Sequence, residues 1–239
     1  MATRELLLMV VPAVVALGGG VLAALWHPSR RARSLIQHFA AGVVLAALAV
    51  EVLPEIGREH APGLVLGGGF ALGSLVMFGL KLLSHRLEAH DGSRSGVSVG
   101  LVLATFIDVA IDGFIIGAGF AAGGESGPVL AIGLSVELLF LGLAMTSDAP
   151  GGWRIVALSA GLGVVVFVAA LVGKVALTGA SHAVIGGALA FAAAALLYLV
   201  TEELLMEAHE DLKVETPIST LVLFAGFLAF WVVQLAGRG

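Results

Sequence analysis

The chain has no cysteine in its 239 residues, which removes disulfides and thiolate metal sites from consideration. Charge is scarce as well. Only 12% of residues are Asp, Glu, Lys or Arg against 59% hydrophobic, and the mean hydropathy is strongly positive. That balance excludes an ordinary soluble domain and a disordered chain. Nothing in the sequence points to nucleic-acid binding, and no nucleophile-plus-base motif appears. The first apolar run, Leu6 to Trp26, follows a single arginine, lacks a small-residue cleavage site and is too long for a signal-peptide core, so it reads as a retained span. Long hydrophilic loops are missing too. The longest, Ser84 to Gly96, contains His85, Arg86, His90 and Arg94.

What the chain does have is apolar runs of membrane-spanning length, separated by polar or Gly/Pro punctuation. Eight are predicted, at about 5–26, 35–56, 62–84, 97–122, 127–147, 153–177, 180–208 and 216–236. The expectation is an all-α integral membrane protein, a single polytopic membrane domain over 1–239. Loops after the odd-numbered spans hold Arg30, Arg31, Arg33, Arg86, Arg94, Arg154 and Lys213; the other loops and the termini hold only Arg4, Arg58 and Arg238. This bias predicts cytoplasmic odd-numbered loops, hence a multi-pass cell-membrane protein with both termini outside.

Against this apolar background the buried charges carry the information. Asp108 and Asp112 stand four residues apart in span four, on one helix face one turn apart. Each ionised carboxylate at such depth costs roughly 2.5–3.5 kcal/mol on insertion scales. A cost incurred twice on one face calls for a compensating cation, proton or partner. Glu51, Glu137 and Lys174 also fall well inside spans, and Glu202 and Glu203 lie deeper than a typical helix end. Carboxylates are hard oxygen ligands suited to divalent cations, and Lys174 is read as pairing with one of these acids. The alternative is a set of salt bridges that only fixes helix packing. His27, His60 and His182 sit in loops or at span ends and read as solvated or interfacial; His209 has the same reading. Gly113, Gly117 and Gly119 read as a small face allowing close helix approach.

Two segment pairs look alike. Span two ends in Glu51-Val52-Leu53-Pro54-Glu55 and span seven in Glu203-Leu204-Leu205-Met206-Glu207. Span four carries Asp108 with Gly113 five residues on, and span five Glu137 with Gly142 five residues on. Spans two and seven run oppositely in the predicted topology, as do four and five. An inverted 3+2+3 repeat is therefore expected, with a substrate site near the midplane at the repeat interface.

At these residues the chain resembles the ZIP (Zrt/Irt-like) family of divalent-metal transporters. The matching stretches are His38-Phe39-Ala40-Ala41-Gly42-Val43, running on to Leu53-Pro54-Glu55, and Leu197-Tyr198 with Glu202-Glu203-Leu204. The family's two metal-binding signatures lie on spans four and five. In span four the resemblance places Asp108 on the His position, Val109 on Asn, Ile111 on Pro, Asp112 on Glu and Gly113 on Gly. In span five it places Glu137 on the His/Gln position, Leu138 on the second polar ligand, Phe140 on Pro, Leu141 on Glu and Gly142 on Gly. Lys174 falls on or beside the ligand Glu of span six, and Glu51 on a span-two position that is often polar.

The implied site has one metal position instead of two. Asp108, Asp112 and Glu137 would be its ligands, Lys174 its electrostatic partner, and Glu51, Glu202 and Glu203 pathway residues. Loss of both signature prolines predicts straighter helices in spans four and five. Carboxylates without His or Cys favour hard or borderline ions such as manganese, magnesium or iron, without excluding zinc. The leading expectation is a transporter of a divalent metal cation (zinc, manganese or iron), with no resident cofactor. Its partners are the lipid bilayer and the cation, with a homodimer left open. The alternatives are a non-metal or proton-coupled transporter using the acid/Lys174 cluster, a non-transporting regulatory homologue, and an intramembrane aspartyl protease. The last is disfavoured because protease dyads bring their acids from separate segments, so the chain is not expected to be an enzyme.

Overall fold

A computed structural model describes residues 3–26, 29–90, 99–123, 125–144, 152–206 and 217–237. Every regular element among them is helical: α1 (Thr3–Leu25), α2 (Arg30–Ala47), α3 (Leu53–Arg58), α4 (Gly63–His90), α5 (Val99–Ala122), α6 (Ser126–Ala144), α7 (Gly152–Leu177), α8 (His182–Leu199) and α9 (Pro217–Gly237). A π-helical turn, Leu48–Val52, joins α2 to α3 in one rod, and a second, Val200–Leu205, continues α8. The rods thus number eight. Seven contain a helix long and apolar enough to cross a membrane; α6 contributes a shorter apolar helix, Ser126–Gly142. In lipid every backbone N–H and C=O must be satisfied within the chain, and continuous helices do this locally.

The expected span boundaries differ most at two places: rod two begins at Arg30, five residues before the predicted 35, and rod three runs on past its predicted end. Span three was predicted to end at residue 84, but α4 continues to His90, so most of the expected histidine-bearing loop is helix. A membrane limits where apolar residues end, and a helix needs no lipid to continue into water. Spans four and five, which lack the signature prolines, are uninterrupted α-helices, whereas the π turns fall in spans two and seven.

Packing is closest within two sets of rods, which also meet where α2 lies on α6 and α4 on α5. Helices α1, α5, α6 and α7 pack on one another, while α2 packs on α9 and α4 on α8. Small residues fix these crossings. A Cβ on Gly42 would stand 2.0 Å from the Leu223 carbonyl oxygen, and one on Gly226 2.1 Å from that of Phe39, so α2 and α9 touch backbone to backbone. Gly113 and Gly117 likewise face α7, against the carbonyls of Val166 and Ala170. Gly119 instead faces α6 at Gly127 and Leu130, so the three glycines read as one small face serve two neighbours. Without a hydrophobic driving force between helices in lipid, such close approach supplies the dispersion contact that holds them.

These contacts also fix direction. Gly113 and Gly117 meet residues of increasing number on α7, so α5 and α7 run parallel; Gly119 meets the start of α6, so α5 and α6 run antiparallel. Rods two and seven share further features. Each begins at a serine whose hydroxyl accepts a backbone N–H (Ser29 from Ala32, Ser181 from Val184), and each carries a π turn in its second half.

Candidate metal-cation site

Helices α5 and α6 cross with their acidic positions at one level. Asp108 and Asp112 lie a turn apart on α5, and Glu137 reaches them from α6. One ligand oxygen from each of the three lies within 4.8 Å of the others. Asp112 and Glu137 are buried, at 2% and 6% exposure, and Asp108 is half-buried. The neighbours that would widen the ligand set are apolar: Val109 and Leu138 are fully buried in the core, and Leu141 packs against it. Three oxygens at the outer limit of 4.8 Å would leave a central ion about 2.8 Å from each, so movements of under about 1 Å bring them to the 2.0–2.6 Å of Zn²⁺ or Ca²⁺ ligands. Arranged this way, the trio can hold one cation through oxygen.

Lys174 lies elsewhere. The resemblance put it on or beside a ligand position, as counter-charge to the acids, but its ammonium forms an ion pair with Glu5 of α1 and sits 5.8 Å from the Phe120 ring centroid. The reason is helix register. Gly113 backs onto Val166 and Ala169, whereas Gly117, one turn on, meets the backbone of Lys174. The α7 residues level with Asp112 are therefore Val166 and Ala169, and Lys174 is more than a turn beyond.

Glu51 is also at a different level. Its carboxylate, only 1% exposed, accepts hydrogen bonds from Ser126 Oγ (3.3 Å) and Gln234 Nε2 (2.7 Å). Ser126 opens α6 eleven residues before Glu137, which places Glu51 about 16 Å along the helix from the trio. Glu202 is paired with Lys81 of α4. The side chain of Glu203 lies outside the described residues, as do those of His85 and His90 and all of His27 and His209. His182, read as interfacial, is 2.7 Å by Nδ1 from the buried Glu59 carboxylate, and Arg58 is 2.5 Å from Glu55. An apolar cavity of about 780 Å³ opens between α4, α5 and α8, lined by residues such as Val65, Ile107, Ile111 and Phe191. No ionisable side chain lines it, so the acidic face of α5 is turned from it.

Sequence reading missed Glu5, Lys81, Ser126 and Gln234 as partners of the charged residues. Lys81 and Gln234 carried a signal, each a polar residue inside an apolar run. Glu5 and Ser126 carried none, since a charge or hydroxyl at a helix start is ordinary.

Fold and site together define a helical membrane protein with an intramembrane carboxylate cluster. No family model matches the chain. It is similar to the zinc transporter GufA of Myxococcus xanthus, at 32% identity over 164 residues. The match takes in 65% of this chain and 63% of that relative's length, just under two thirds.

Proposed function

We propose that the protein is a ZIP-like transporter that carries a divalent metal cation (zinc, manganese or iron) across the cell membrane, using a single acidic site of Asp108, Asp112 and Glu137. The observation that carries this reading is the convergence of three carboxylates from two antiparallel apolar helices within 4.8 Å. Three mutually repelling charges in a low-dielectric interior are tenable when a cation joins them. Similarity to a protein named a zinc transporter supports the same reading. A single site in place of the family's two-metal centre is supported by Val109, Leu138 and Leu141 beside the trio and by Val166 and Ala169 at its level on α7.

An inverted 3+2+3 repeat is supported by the pairing of helices. Exchanging rods one with six, two with seven, three with eight and four with five turns the α5–α7 packing into α6–α1, and α2–α9 into α8–α4. Alternating access then has a physical basis: the group carrying the trio (α1, α5, α6, α7) moves against the group of α2, α4, α8 and α9. Both termini lie outside in this reading. Glu51, Ser126 and Gln234 then stand on the outer side of the trio, and Lys81 with Glu202 on the cytoplasmic side. Pairing of Lys174 with Glu5 disfavours a proton relay through a Lys174–acid cluster.

The test is divalent-metal accumulation in cells expressing the wild-type chain or Asp112→Asn. The reading requires uptake of at least one of Zn²⁺, Mn²⁺ or Fe²⁺ that the variant loses; equal uptake of all three by both proteins sinks it.

A further inference from the structure

Lys174 and Glu5 are the one charge pair among the described residues that joins two helices of the trio's own group. Lys174 stands in the last turn of α7 and Glu5 in the first turn of α1, ends at which the helix dipoles favour those signs. Lys174 is 8% exposed, and its Nζ lies over the Phe120 ring. Phe120 in turn sits against Gly127, where a Cβ would meet the ring at 2.4 Å, closing the end of the α5–α6 crossing that holds the trio. The Lys174 backbone is level with Gly117, about 7.5 Å along α5 from Asp112, and its ammonium, over the Phe120 ring, lies farther along, on the order of 10–12 Å from that level. The backbone offset is comparable with an extended lysine side chain. With protein rather than salt water between, mobile ions screen a unit charge little over this range.

We propose that Glu5 is a positioning residue for the cation site: by holding the Lys174 ammonium at the end of α7, it keeps that positive charge from opposing or replacing a divalent cation among Asp108, Asp112 and Glu137. This rests on the cation-site reading above. Paired, Glu5 and Lys174 present the trio with no net charge. With Glu5 neutralised, the ammonium is left unpaired at the end of the helices that carry the three carboxylates, and its four-carbon stem lets it lean toward them. A divalent cation must then bind against that charge, which weakens binding at least about tenfold at an effective dielectric constant of 20 to 40. A mere packing pin between α1 and α7 predicts a different pattern, because removing the lysine as well would not restore affinity.

The experiment titrates the purified full chain with Mn²⁺, following free Mn²⁺ by electron paramagnetic resonance, for wild type, Asp112→Asn, Glu5→Gln, Glu5→Asp and the double variant Glu5→Gln/Lys174→Gln. The expected results are a tenfold or greater loss of affinity in Glu5→Gln, recovery to within about threefold of wild type in the double variant, and near-wild-type affinity in Glu5→Asp. The proposal is overturned if Glu5→Gln binds Mn²⁺ as wild type does, or if the double variant is as weak as Glu5→Gln. Wild-type binding by Asp112→Asn instead defeats the site reading itself. Loss in Asp112→Asn without loss in Glu5→Gln defeats only the role of Glu5.

Discussion

Replacing Asp112 by Asn removes one negative charge from the trio while nearly preserving the side chain's shape beside Gly113 and α7. A divalent ion at the geometric centre of the trio is at most about 2.8 Å from the Asp112 oxygen. Even at the dielectric constant of bulk water, two positive charges and one negative at that distance attract by about 3 kcal/mol. Asp112 is 2% exposed, so water screens it less than this and the figure is a lower bound. The variant should therefore bind Zn²⁺ or Mn²⁺ at least about 100-fold more weakly. Isothermal titration of purified protein measures the ratio directly. Melting temperature in the absence of metal serves as the folding control, and should be unchanged or raised because a repulsive charge has gone. An affinity within threefold of wild type would refute the reasoning, since no plausible dielectric constant makes the lost attraction that small.

Divalent metal at 100 times its dissociation constant should stabilise the wild-type chain by about 2.7 kcal/mol, raising its melting temperature, and should stabilise Asp112→Asn by no more than about 0.4 kcal/mol at that concentration. Gly226→Val would drive a side chain into the Phe39 carbonyl of α2, at 2.1 Å for the Cβ alone; a loss of about 1–3 kcal/mol or more is expected in thermal or denaturant unfolding in detergent. Glu51→Ala leaves Ser126 and Gln234 without their acceptor in a buried place and should cost about 1–3 kcal/mol. Lys81→Ala breaks a pair whose side chains are each 34% exposed and should cost less than about 1 kcal/mol. Equal losses in these last two, measured by the same unfolding assay, would contradict the burial argument.

Most of the architecture was legible in the sequence because lipid imposes a simple rule. A helix must be apolar for about twenty residues, and the places where that rule is broken are visible by eye. Eight rods, their order and the acids Asp108, Asp112 and Glu137 follow from it. The fourfold spacing on α5 placed two carboxylates on one face before any fold was known. Only the tertiary structure decided what each buried charge meets. Lys174 could not be assigned from spacing, because its neighbours depend on the register in which Gly113 and Gly117 let α7 lie along α5. A shift of between one and two turns would have put it beside Asp112; the observed register gives that level to Val166 and Ala169, and gives Lys174 to Glu5, 169 residues away in the chain. Glu51 was likewise visible as a charge at depth, but its partners on α6 and α9 come from helix crossings set by backbone contact at single glycines. Hydropathy records how deep a residue lies, whereas which side chains share a level is settled by packing between helices far apart in sequence.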